Sequence, residues 1–141
     1  LRDRVANNVV PRILTNSPQT NNQPLVSMVY SALLPYYAKM GLEIWEYQGP
    51  ESLHAKAFRI DGSSVGIGSF NGDAISFFRN TESGILVINP EFGKKVGEAF
   101  ENNLFSNAKL VAKEGKVLRE GIGGCRGYIR RLIAPILEGH L

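Results

Sequence analysis

The chain has 141 residues, 43% hydrophobic and 21% charged, with a net charge of +3, which is one domain's worth of ordinary globular composition. No run reaches the roughly 18 apolar residues that a membrane span needs, no basic-then-apolar leader opens it, and the mild positive charge fits an anionic partner without indicating nucleic acid or membrane. One cysteine, Cys125, excludes an internal disulfide framework, and two unclustered histidines beside it argue against a protein-held zinc.

Leu1 to Asn8 reads as the last turns of a helix; because the chain opens on Leu and not Met, it is expected to be a piece of a longer protein. Val9 to Thr15 is an apolar, β-branched run expected as a buried strand, and Asn16 to Pro24 is a loop by composition. Leu25 to Met40 has apolar residues at helical spacing (Val29, Leu33, Tyr36, Tyr37, Met40) and stops on Gly41. Pro35 is expected to kink or divide that helix. Leu42 to Tyr47 is a short strand before the turn Gln48-Gly49-Pro50. Two strands follow, Leu53 to Ile60 and Ser64 to Ser69, joined by the hairpin signal Asp61-Gly62. Gly72 to Asn80 is a loop or helical turn, and Gly84 to Asn89 a further buried strand. Pro90 opens a helix to about Leu104 whose apolar face is Phe92, Val96, Ala99, Phe100 and Leu104. Ala108 to Ala112 and Lys116 to Arg119 pair around Glu114-Gly115. Gly121 to Gly127 is a glycine-rich link, and Tyr128 to Leu137 a short apolar segment interrupted by Pro135. The alternation implies an α/β domain, a mixed sheet flanked by helices on both faces.

The chemistry concentrates between positions 54 and 71. His54 and Lys56 are two apart in an alternating apolar run, so a strand would project both from one face. Asp61 follows, then Gly68, Ser69 and Asn71. An imidazole and an ammonium side by side, with a Gly-Ser-x-Asn turn returning beside them, make a cationic, donor-rich site suited to a phosphate ester.

This pattern, His54-x-Lys56-x4-Asp61-x6-Gly68-Ser69-x-Asn71, resembles the HKD signature of the phospholipase D superfamily. Asn80-Thr81-Glu82 fills the place of that family's later acidic residue. The flanks, from Ile13-Leu14-Thr15-Asn16-Ser17 to Arg131-Leu-Ile-Ala-Pro-Ile-Leu-Glu138, are similar to the C-terminal half of cardiolipin synthase-like, two-motif members. The chain departs from them at Gly72-Asp73-Ala74-Ile75-Ser76, where Ile75 stands in place of the usual Arg, and in having one motif where the family's site uses two. The resemblance implies a catalytic half over residues 1–105, with the motif at 54–71, and a C-terminal extension over 106–141 packing on the same domain.

A phosphodiester resists attack because its charge repels nucleophiles and its leaving alkoxide is poor. The resemblance implies that one His attacks phosphorus to form a phosphohistidine. The other protonates the departing alcohol and then activates water or an acceptor alcohol. Lys56 and Asn71 would hold the non-bridging oxygens, with Ser69 as a helper. Glu82 would accept a hydrogen bond from His54 and fix its tautomer, and Asp61, at a hairpin end, would be structural or charge-balancing. As the C-terminal copy, this half would carry the general acid/base in His54. No cofactor or metal is implied.

The expected protein is thus a phosphatidyltransferase half acting on a phospholipid and an alcohol acceptor or water. A second HKD half, upstream in the same chain or in another subunit, completes it, and the parent is bacterial, membrane-associated or cytoplasmic. The alternatives are a homodimeric single-motif nuclease or phosphodiesterase, the one reading in which nucleic acid is a partner, and a non-catalytic phosphate-binding scaffold. Tyr36, Tyr37 and Trp45 are read as core and not as a base-stacking platform. Arg126, Arg130 and Arg131 could reach lipid phosphates, but a C-terminal helix packing on its own domain is the plainer expectation, and His140 is read as incidental.

Overall fold

The computed structural model describes residues 9–72, 76 and 78–119. The helix end at Leu1–Asn8, the Ile75 position, the link 121–127, the Tyr128–Leu137 segment with its arginines, Cys125 and His140 lie outside the described residues. In chain order the elements are β1 (Arg12–Asn16), α1 (Pro24–Lys39), β2 (Glu43–Tyr47), β3 (Ala57–Ile60), β4 (Ser64–Gly68), β5 (Gly84–Ile88), α2 (Pro90–Ala99), β6 (Ala108–Lys113) and β7 (Lys116–Val117). A π-helical turn (Phe100–Leu104) and a 3-10 turn (Phe105–Asn107) lead from α2 towards β6, so the helix expected to end near Leu104 does so with its last turn widened. The α/β reading holds, with the strands dealt into two sheets, β1-β2-β6-β7 and β3-β4-β5. The described residues divide between two compact units, one within Leu1–Leu53 and Asn107–Leu141, the other within His54–Ser106.

In the first unit β1 runs parallel to β2, and β2, β6 and β7 are antiparallel. α1 starts on Pro24, where a missing N–H costs nothing, and runs unbroken through Pro35, so the expected division does not occur. It ends where Gly41 takes a φ of 80°: Gly41 N–H donates to the Ala38 carbonyl at 2.9 Å and Leu42 N–H to Tyr37 at 3.4 Å. That paired closure needs a left-handed residue, which glycine supplies without strain. Leu34, Ala38, Leu42, Ile44, Val111 and Ala112 form the core, with Tyr30, Tyr37, Met40 and Val117 packed against it. Trp45 instead lies beneath the Arg12 guanidinium, 5.6 Å from it. The run at Val9–Thr15, expected to be buried, yields a strand with one neighbour among the described residues, and Val9, Val10 and Ile13 are exposed.

A polar cluster is buried beside this core. Arg119 Nη1 donates to Glu46 Oε1 and its Nη2 to Ser31 Oγ at 2.9 Å, while the Tyr30 hydroxyl donates to the same Glu46 oxygen at 3.1 Å. Glu46 is only 2% exposed. Burial first, then the Glu46 charge and hydrogen bond, push the Tyr30 hydroxyl above the usual tyrosine range.

In the second unit β3, β4 and β5 form an antiparallel sheet with Ala57, Ile67 and Ile85 in one row and Phe58, Gly66 and Leu86 in the next. The β3–β4 turn places Asp61 at φ 50° and Gly62 at φ 73°, and Ser63 N–H donates to the Ile60 carbonyl at 3.2 Å. These are the two positive φ values of a hairpin turn whose twist matches the strands. α2 is capped by Asn89, whose side chain accepts from Phe92 N–H at 2.9 Å, and it packs on β4 and β3. Gly93 permits that approach: a Cβ there would stand 2.2 Å from the Gly62 carbonyl oxygen. Val65 is fully buried on the packed face, and Val87 beside it in register is half-buried. β5 as a whole is not the buried strand expected. Ile85 and Ile88 are 71% and 74% exposed, because β5 is an edge strand and a ten-residue helix covers only part of one face.

Candidate active site

The strand expected from Leu53 begins only at Ala57. Its partner β4 ends at Gly68, whose N–H donates to the Lys56 carbonyl at 3.1 Å; beyond that, Ser69 N–H pairs with the Ser83 carbonyl at 2.9 Å. Residues 53–56 are therefore irregular chain at the mouth of the hairpin. The common orientation of His54 and Lys56 survives this change. Lys56 Nζ lies 2.6 Å from His54 Nε2 and also donates to the His54 carbonyl at 3.1 Å. An ammonium only donates, so Nε2 accepts, and the proton of a neutral ring then sits on Nδ1.

Glu82 is held otherwise than expected. It accepts from the Ser69 hydroxyl at 2.5 Å and from Asn80 Nδ2 at 3.3 Å, and Ser76 also donates to it. Among the described residues no hydrogen bond reaches it from His54. Hydrogen bonds from Ser69, then Ser76 and Asn80, with the Lys56 charge as the smallest contribution, hold its carboxyl below the usual glutamate range. Ser69, expected beside the phosphate, gives its hydroxyl proton to Glu82, while its oxygen accepts from Ser83 N–H at 3.0 Å. Ser76, buried, accepts from Asn71 N–H at 3.2 Å. Ser76 went unmarked in the sequence because nothing in its spacing ties it to Glu82; only a turn that brings both onto Ser69 and Asn71 does so.

The structure thus gathers His54, Lys56, Ser69, Asn71 and Glu82 around the open end of the hairpin. Asp61 sits in the turn at the other end of β3, roughly 16 Å along an extended strand from Lys56. A second residue is Asn16, marked in the sequence only as part of the Ile13–Ser17 flank, whose side chain bonds both backbone polar groups of Leu53. Among the described residues no three His, Cys, Asp or Glu side chains converge as a metal site would require.

A family model described as the phospholipase D-like domain of cardiolipin synthase matches residues 1–104. The chain belongs to this cardiolipin synthase, phospholipase D-like family. Cardiolipin synthase C of Escherichia coli K12 is 30% identical over 113 residues, 68% of this chain and 24% of that protein. Cardiolipin synthase A of Pseudomonas fluorescens Pf-5 is 33% identical over 113 residues, covering 78% and 23%. Cardiolipin synthase A of Pseudomonas putida GB-1 is 32% identical over 140 residues, covering 97% and 28%. The chain spans about a quarter of the length of the curated relatives it matches. In fold it is similar to the crystal structure of Nuc, a phospholipase D family member from Salmonella typhimurium. The TM-score is 0.62 at 17% identity, covering 80% of this chain and 71% of that one. The relatives are bacterial, and no helix among the described residues is long and apolar enough to cross a membrane.

Proposed function

We propose that this chain is one catalytic half of a phosphatidyl-transferring enzyme that cleaves a phospholipid phosphodiester through a phosphohistidine, a second His-x-Lys half completing the site. The observation that carries the reading is the 2.6 Å approach of Lys56 Nζ to His54 Nε2, within the segment the family model matches. A phosphodiester oxygen that takes the ammonium as its partner would meet the imidazole at the same place.

In this reading the histidine of the other half attacks phosphorus. The P–O bond to the leaving alcohol breaks, and His54 supplies the proton that the alkoxide takes away. His54, now neutral, removes a proton from water or an acceptor alcohol. That oxygen attacks the phosphohistidine, and the P–N bond breaks. Lys56 and Asn71 hold the non-bridging oxygens. Ser69 acts at one remove, by holding Glu82, and Asp61 serves the turn.

The test is His54→Ala in the full-length protein, assayed with phosphatidylglycerol in detergent micelles. Turnover should fall at least about 10²-fold, the usual scale for loss of an acid/base group, with the melting temperature retained. Near-normal transfer in that variant overturns the role. Cleavage of single-stranded DNA with no reaction on lipid moves the protein to the nuclease reading, and no phosphodiester turnover at all by folded wild-type protein selects the scaffold.

A further inference from the structure

We propose that Asn16 is a positioning residue for His54, resting on the reading of His54 as a reacting group. Asn16 Nδ2 donates to the Leu53 carbonyl at 2.8 Å, and Leu53 N–H donates to Asn16 Oδ1 at 2.7 Å. One side-chain amide thus gives Leu53 the two bonds a neighbouring strand would give it, at a point where the chain has no strand partner. Leu53 is the residue before His54. Its carbonyl oxygen lies in the same rigid peptide plane as the His54 nitrogen and Cα, so fixing that oxygen fixes the direction in which His54 leaves the plane.

The clamp is itself firmly mounted. Asn16 closes β1 in register with Tyr47 of β2, and Ser17 N–H donates to the Tyr47 carbonyl at 3.2 Å. The Thr20 hydroxyl donates to the same carbonyl at 3.2 Å and sits 3.1 Å from the Ser17 hydroxyl, and Ser17 is fully buried. Asparagine is the shortest side chain that presents a donor and an acceptor side by side. Aspartate keeps the shape but only accepts, and alanine keeps neither bond.

The experiment compares Asn16→Ala, Asn16→Asp and His54→Ala with wild type in the full-length protein, using bis-nitrophenyl phosphate as substrate. Amide hydrogen exchange at Leu53 and thermal melting accompany the kinetics. Both Asn16 variants should lose about 10- to 100-fold in kcat, since a misplacement near 1 Å is enough for that, with KM within about twofold. Leu53 should exchange faster in Asn16→Ala, which loses the acceptor of its N–H, and stay nearer wild type in Asn16→Asp, which keeps it. Aspartate should rescue nothing, because the donor to the carbonyl is what it lacks. Wild-type kcat in Asn16→Asp, or a loss that only tracks the unfolded fraction, overturns the assignment. If Asn16→Ala does not fold, Asn16→Asp decides on the same kcat criterion. His54→Ala separates the two ideas: normal turnover there defeats the reading of the site, whereas an inactive His54→Ala beside normal Asn16 variants defeats the clamp alone.

Discussion

Lys56 has three N–H bonds and directs two of them at His54, one to the ring and one to the carbonyl. In the proposed reading the third meets a phosphate oxygen, and Lys56→Met should therefore weaken both the grip on the ligand and the orientation of the ring. Glu82 is a different case, a carboxylate fastened by hydroxyl and amide donors. Its pKa is lowered in the folded chain, so its bonds contribute stability above the ordinary glutamate value and lose it as pH falls through the lowered one. Ser69→Ala removes the largest cause and should move the Glu82 titration up towards the ordinary range, read as the carboxyl carbon shift by NMR; an unmoved titration would contradict the assignment. If the proposed roles hold, Glu82→Gln should cost less turnover than His54→Ala, because it loosens the loop and leaves the imidazole in place. The residues of this site were legible where they are close in sequence: His54, Lys56, Ser69 and Asn71 ride on one hairpin, and spacing along a hairpin is spacing in space. Asn16 was not legible, since its partner Leu53 is 37 residues away and any strand can end on an asparagine.

Among the elements, the hairpin at Asp61-Gly62, the helix stop at Gly41 and the helix start at Pro90 could be read in advance, because each is decided by backbone dihedrals within four residues. Which face of a strand meets solvent could not, because it depends on whether a helix arrives to cover it. β5 has the composition of a buried strand and stands at an edge. Two substitutions test the packing. Gly93→Ala sets a methyl against the Gly62 carbonyl, which is backbone and cannot swing aside, so α2 must lift from the turn and the melting temperature should fall. Glu46→Ala strands the Arg119 guanidinium against Tyr30 and Ser31 and should cost roughly 3–5 kcal/mol in a denaturant titration. Replacing Glu46 and Arg119 together by methionine should cost less than either single loss.

At the scale of the molecule, the apolar core of the described residues is unevenly shared. Leu34, Ala38, Leu42, Ile44, Val111 and Ala112 lie in the first unit; in the second, Val65 is the fully buried apolar side chain among the described residues. Burial is the main favourable term in folding, so amide exchange should be slowest in β2 and β6 and faster across β3–β5. Residues 54–106 expressed alone should lack cooperative unfolding. Equal protection in both units, or a sharp melt of the excised piece, would contradict this. The same measurement should place the motif on the less stable part of the chain, where low local stability is usual for segments that rearrange around a ligand.

The bond between Glu46 and Arg119 links residues 73 apart in the chain. On a ribosome adding about 5–20 residues per second, the carboxylate is made roughly 4–15 s before its cation. For most of that interval β2 has no β6 beside it, and throughout it Glu46 must stay hydrated. A nascent chain paused before residue 108 would therefore hold an open sheet edge, and it is there that a holdase chaperone would be expected to bind.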